Sequence, residues 1–201
     1  PGRLTARCTY SLADPGILRV ALDAESDAPT VVNLAHHSYF TLDGGADILD
    51  HRLWVDADRV TETDADLIPT GRLLDVAGTP YDFRRPRPIR RDGSQGRFRY
   101  DVNYCLPDTG TAAPRRVARV EAATSGLTLE VWTNQPGLQV YDGWKVDVPV
   151  PGLDGRRYGP CAGLCLEAQR WPDAPSHAGF PSMTLRPGER YEQVTEYRFT
   201  V

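Results

Sequence analysis

Residues 127–144 read LTLEVWTNQPGLQVYDGW, two β-like runs on either side of a turn signal. Apolar and polar side chains alternate through 127–133 and again through 138–142, the period of a strand with one face turned inward. Pro136-Gly137 between them is turn chemistry. After the turn, Leu138 and Val140 share one face, and Gln139 and Tyr141 share the other. The same texture extends outward in both directions. Seventeen prolines and eighteen glycines cut the 201-residue chain into short segments, with little helical periodicity between them. Runs at 3–11, 17–24, 30–40, 51–56, 116–123, 127–133, 138–142, 163–169 and 190–200 are expected to be strands. Many short strands separated by turns predict a β-sandwich or related all-β architecture, and 201 residues suit a single domain. No internal repeat, low-complexity tract or domain boundary interrupts it. Residues 149–160, PVPGLDGRRYGP, read as a long polar loop, either functional or plain surface.

Composition narrows the function classes. A hydrophobic fraction of 40% with 25% charged residues is ordinary for a water-soluble fold. A net charge of −4 argues against general affinity for nucleic acid. No apolar run reaches membrane-span length. The dense basic run Arg84, Arg85, Arg87, Arg90 and Arg91 includes Pro86 and Pro88, and a solvated loop is expected there, with a polyanion site as the alternative. Cys8, Cys105, Cys161 and Cys165 follow no metal or redox spacing. Buried free thiols in a reducing, cytoplasmic compartment are the expectation. No signal peptide is visible, and the chain opens on Pro1, so it reads as part of a longer one.

Three further stretches carry candidate chemistry. In VNLAHHSYF, residues 32–40, strand alternation puts Val32, Leu34, His36, Ser38 and Phe40 on an apolar face. Asn33, Ala35, His37 and Tyr39 fall on the other, which reads as the wall of a wet cavity. The adjacent histidines therefore have different surroundings, and His37 is the better candidate for chemistry. In GLCLEAQRWPDAP, 163–175, Leu164, Leu166 and Ala168 face one way, Cys165, Glu167 and Gln169 the other. Glu167 is either on a solvated face or in a cavity where desolvation would raise its pKa and suit it to act as a base. In RYDVNYCL, 99–106, Asp101 lies among aromatics. It fits sugar binding, and equally a strand-end cap. Gln139 could hydrogen-bond sugar hydroxyls or sit exposed on its strand.

Taken together and in order, VNLAHHSYFTLDGG, IPTGRLLDVAGTPYDFR, RYDVNYCL, QPGLQVYDGW and GLCLEAQRWPDAPSHAGFPSMTLRPGERYEQVTEYRF resemble the aldose 1-epimerase (galactose mutarotase) family. The resemblance runs across essentially the whole chain. It implies a large antiparallel β-sandwich, the galactose mutarotase-like supersandwich, here spanning 1–201 as one domain that lacks the family's N-terminal strands. It implies His37 as catalytic acid and Glu167 as catalytic base, with Asp101, Gln139 and Tyr39 contacting the sugar. Three departures stand out. His36 replaces a common asparagine, Val102 a histidine that commonly follows the aspartate, and Ala168 a small hydroxyl residue after the glutamate. An upstream histidine and arginine that contact sugar in the family would precede Pro1, so this chain alone is expected to be weakly active or inactive.

The activity so implied interconverts α and β anomers of free aldohexoses such as galactose and glucose, with a monosaccharide as partner and no metal or redox cofactor. A base takes the anomeric hydroxyl proton, an acid protonates the ring oxygen, and the roles reverse on closure. Three alternatives remain at this level. One is a glycoside hydrolase using Asp101 and Glu167. Another is a non-catalytic sugar-binding sandwich. The third is a hexose 6-phosphate epimerase relative, with Arg84 to Arg91 on the phosphate.

Overall fold

The structure, a computed structural model, describes residues 1–93, 96–107 and 112–201. The first half carries β1 (Leu4–Ala13), β2 (Ile17–Ser26), β3 (Thr30–Val31), β4 (Tyr39–Phe40), β5 (Arg52–Val55), β6 (Arg59–Thr63), β7 (Pro69–Asp75), β8 (Arg87–Pro88), β9 (Asp92–Gly93) and β10 (Gly96–Arg97). The second carries β11 (Asp101–Cys105), β12 (Arg115–Glu121), β13 (Thr128–Thr133), β14 (Gly137–Tyr141), β15 (Leu164–Gln169), β16 (Thr184–Leu185) and β17 (Tyr191–Thr200). Every pairing among the described residues is antiparallel. A seven-stranded sheet runs β1-β2-β17-β13-β12-β5-β8, and a six-stranded sheet runs β4-β15-β14-β11-β6-β7. Two small ladders, β9 with β10 and β3 with β16, complete the strand pairings among the described residues.

The opening stretch explains why there are two sheets. β13 and β14 are consecutive, yet they do not pair: β13 lies between β12 and β17, β14 between β11 and β15. Residues 134–136 therefore form a corner that carries the chain from one sheet to the other. Side chains and carbonyls lock it. Val194 N–H donates to Asn134 Oδ1 at 3.0 Å, while Leu106 N–H and Trp171 Nε1 both donate to Pro136 O. Glycine at 137 keeps this corner tight, since a Cβ there would stand 2.5 Å from Asn103 Oδ1 and 3.0 Å from Gln169 O, and a neighbour would have to shift.

The inward rows of the two sheets form one core. Leu22, Leu129, Val131 and Tyr197 from the first sheet pack with Leu138, Val140, Leu164 and Leu166 from the second. Each large apolar side chain so buried stabilises the fold by roughly 1.5–3 kcal/mol. β15 is buried along its whole length, as befits a strand between two others.

The expected strand 30–40 pairs only at its ends, as β3 and β4; residues 32–38 run extended without a ladder. The face alternation survives, with Val32 buried and Ala35, His37 and Tyr39 exposed. Side chains replace the missing ladder. Where β4 stops, Tyr197 Oη donates to Leu166 O at 3.1 Å and Gln193 Nε2 to Ala168 O at 2.7 Å. Further along, Asn33 brackets the Arg170 backbone, accepting from its N–H at 2.9 Å and donating to its carbonyl at 3.0 Å. The backbone groups of β15 and its continuation are thus satisfied without a full neighbouring strand.

Other expectations need correction. β6, β7 and β11 were not among the expected strands. β7 carries Pro69 and Gly71, which obscure its pattern. The arginine run is not simply a solvated loop. Arg87 pairs with β5 through β8, and its guanidinium stacks over the Phe83 ring at 3.8 Å. Cys105, Cys161 and Cys165 are buried free thiols, but Cys8 is exposed, because β1 is an edge strand exposed along all ten residues. On β1, Leu4, Ala6, Cys8, Tyr10 and Leu12 stand opposite the inward row of β2. Leu12 is nonetheless 84% exposed. Residues 149–160 are an exposed loop holding one short 3₁₀ turn, Leu153–Gly155. No described helix is long and apolar enough to cross a membrane.

Candidate active site

Three neighbouring strands of the six-stranded sheet present their outward faces together. Register sets Asn103, Gln139 and Glu167 directly opposite one another across β11, β14 and β15. One step along lie Asp101, Tyr141 and Cys165. Period-two alternation does the sorting: on β15, Leu164, Leu166 and Ala168 join the core, so Cys165, Glu167 and Gln169 must face outward. A cleft of about 360 Å³ sits over these rows, lined by His37, Asp101, Asn103, Gln139, Tyr141 and Glu167 among others.

His37 arrives from the unladdered segment and caps the cleft. Its Nε2 lies 3.4 Å from Glu167 Oε1; the imidazole is half exposed while the carboxylate is 9% exposed. Burial pushes the Glu167 carboxyl up to about 7 from an ordinary 4.5; His37 opposes the rise and Asp101 adds to it. The cavity alternative for Glu167 therefore holds. Its carboxylate is poised to accept a proton near neutrality beside a ring that can donate one.

Asp101 and Gln139 also meet there. Gln139 Nε2 donates to Asp101 Oδ1 at 2.8 Å. This amide braces the aspartate, while Val102 turns into the core. Tyr39 is placed differently. Its ring lies tilted 5.3 Å from His37 and meets Tyr141 edge-on at 6.3 Å. It lines an adjoining apolar cleft of about 500 Å³ with Tyr158 and Val148. Burial, and then the Cys165 thiol, raise its phenol to about 12, so it serves as a neutral wall.

His36 and Asn33 are structural. His36 Nδ1 is 3.1 Å from Tyr197 Oη, and Ser38 Oγ is 3.0 Å from His36 Nε2. Burial, with the neighbouring His37, lowers the His36 pKa, which favours the neutral ring. Asn33, expected on the cavity wall, points instead at the Arg170 backbone. Sequence reasoning missed Thr61, Thr63, Asn103 and Gln169, which also line the cleft. The signal for Asn103 was its position two residues after Asp101, on the same strand face.

His37, Cys165 and Glu167 each place one donor atom within 4.8 Å of the others, so this group could hold a soft divalent ion. Three of the five arginines proposed for phosphate are engaged elsewhere. Arg84 pairs with Asp82 and Asp58, Arg90 with Asp50, and Arg87 with the carbonyls of Asp82 and Pro88. None of them lines the His37–Glu167 cleft.

Residues 1–198 match the family model described as aldose 1-epimerase. The whole chain is 41% identical over 204 residues to galactose mutarotase of Homo sapiens, covering 59% of that protein. Aldose 1-epimerase of Escherichia coli is 36% identical over 207 residues, with 99% of this chain and 59% of that protein covered. Among solved structures, the GalM/aldose epimerase homologue from C. elegans superposes over the whole chain and 61% of its own, with a TM-score of 0.91 and 28% identity. Galactose 1-epimerase from Lactobacillus acidophilus superposes over the whole chain and 58% of its own, with a TM-score of 0.80 and 27% identity. The chain thus spans about 59% of the length of the curated relatives it matches. It belongs to the aldose 1-epimerase family.

Proposed function

We propose that the protein interconverts the α and β anomers of a free aldohexose, with Glu167 as base and His37 as acid. The observation that carries this reading is the 3.4 Å contact between His37 Nε2 and a Glu167 carboxylate lifted to about 7. The anomeric hydroxyl and the ring oxygen are both bonded to C1, one bond angle apart. An acid and a base in contact can therefore serve both. Glu167 takes the hydroxyl proton while His37 protonates the ring oxygen as the C1–O bond breaks. The open aldehyde rotates about C1–C2, and closure reverses the two transfers. Asp101 and Gln139 hold the sugar, and Tyr39, beside His37, contacts it from the rim of the adjoining cleft.

A hydrolase would need a second carboxylate working with Glu167. Asp101 is instead engaged by Gln139, and the group touching Glu167 is an imidazole. Polarimetry of freshly dissolved α-D-galactose and α-D-glucose is the test, run on a protein of the relatives' full length, of which this chain spans about 59%. Glu167→Gln should abolish nearly all acceleration and His37→Asn should lower it about 10²–10⁴-fold, the usual worth of one positioned proton-transfer group. Full activity in Glu167→Gln would sink the assignment. Release of aryl alcohol from an aryl galactoside would favour the hydrolase.

A further inference from the structure

The floor of the cleft carries an amide that the chemistry above leaves unused. Asn103 is 2% exposed, and neither its Nδ2 nor its Oδ1 has a hydrogen-bond partner in the protein. An asparagine so buried costs stability unless something binds it, because both a donor and an acceptor have been taken from water. Its surroundings keep it that way. Gly137 on the adjacent strand leaves out the Cβ that would collide with Asn103 Oδ1. The facing amide Gln139 spends its Nε2 on Asp101, and its Oε1 is also buried without a partner.

We infer that Asn103 is a sugar-binding residue that reads a hydroxyl at the end of the ring remote from the anomeric carbon. This rests on the function proposed above. A hydroxyl both donates and accepts, and the carboxamide offers the matching acceptor and donor side by side. Position selects which hydroxyl. Asn103 and Glu167 lie in one row, separated by the strand that carries Gln139. Two strand spacings set their backbones roughly 9–10 Å apart. A pyranose whose C1 hydroxyl meets Glu167 then lies along the row, with its C3–C4 edge over Asn103. Gln139 Oε1, between them, accepts from a hydroxyl nearer the middle.

The test pairs protein and sugar changes. Asn103→Leu keeps the shape and removes both polar atoms; Asn103→Ala is the second variant should leucine not fold. Binding by calorimetry and exchange by polarimetry are measured, again on the full-length protein, for galactose and for its 3-deoxy and 4-deoxy analogues. Wild type should prefer galactose to one of the analogues by at least about 10-fold, and that preference should vanish in the variant. The melting temperature of Asn103→Leu should be unchanged or higher, since an unpaired buried amide is gone. Equal losses for galactose and both analogues, or no loss, overturn the inference while leaving the proposed reaction intact. Sugar bound by wild type without faster anomer exchange overturns the proposed reaction, and the binding series still judges Asn103.

Discussion

The Glu167 carboxyl releases its proton at about 7 when folded, against an ordinary 4.5, because burial disfavours its charged form. The unfolded chain gives up that proton first. Between the two values the folded state therefore binds more protons, and stability falls as pH rises through that window. A shift of this size corresponds to about 3 kcal/mol by pH 8. Catalysis asks for the opposite condition, since only the ionised carboxylate can act as base. Activity should fall as pH drops below about 7, while the protein itself becomes more stable. Glu167→Gln should abolish that slope in stability. It should melt higher than wild type at pH 8 and lose the advantage below pH 4.5, as thermal denaturation across pH would show. At this scale much of the site was legible. Alternation alone put His37, Glu167 and Gln139 outward and kept the two histidines apart. What it could not tell was whether the outward face was wet or enclosed. That depends on His37 closing over Glu167 from 130 residues away, and on a floor built from β11.

The segment 32–38 shows how an element can be extended without being a strand. β4 covers only the start of β15, and side chains of Asn33, His36, Tyr191, Gln193 and Tyr197 do the fastening beyond it. The pattern of VNLAHHSYF reads as a strand because its side chains do alternate in burial. The partner that would have made it one is absent, and periodicity carries no information about partners. β11 escaped notice for another reason. DVNYC alternates, with Asp101 and Asn103 outward and Val102 and Tyr104 inward. The run is only five residues, however, and opens on an aspartate that reads equally as a strand-end cap. Separate fasteners can be cut separately. Asn33→Ala removes both bonds to the Arg170 backbone and should cost about 1–3 kcal/mol in urea denaturation. Steady-state kinetics should show a fall in kcat greater than any rise in KM, because His37 loses its anchor more than the sugar loses its contacts. Amide exchange should place 35–38 among the fast sites, while residues 164–169 exchange slowly.

At the scale of the molecule, the two-sheet plan was legible from turn chemistry and strand length. Which strands neighbour which was not. The corner at 134–136 looks locally like a hairpin turn, and only the long-range partners β12, β17, β11 and β15 decide that β13 and β14 part company. The family resemblance supplied what local pattern lacked. The seven-stranded sheet ends on one side at β1, whose inward row continues that of β2 into open solvent. Tyr10 is 59% exposed on that row, with Leu12 beyond it. Such an edge offers both unpaired backbone groups and apolar side chains to whatever meets it. In colloidal terms, attraction between molecules should outweigh the mild repulsion of a net charge of −4. Static light scattering of this chain should give a negative second virial coefficient. Leu12→Lys should move it toward positive values while leaving the melting temperature within about 1 °C, since a side chain so exposed contributes little to the core. A virial coefficient already positive in the unaltered chain would show that the edge is not attractive. By this prediction, the strand that widens the sheet also sets the concentration at which copies of this 201-residue chain stop behaving independently.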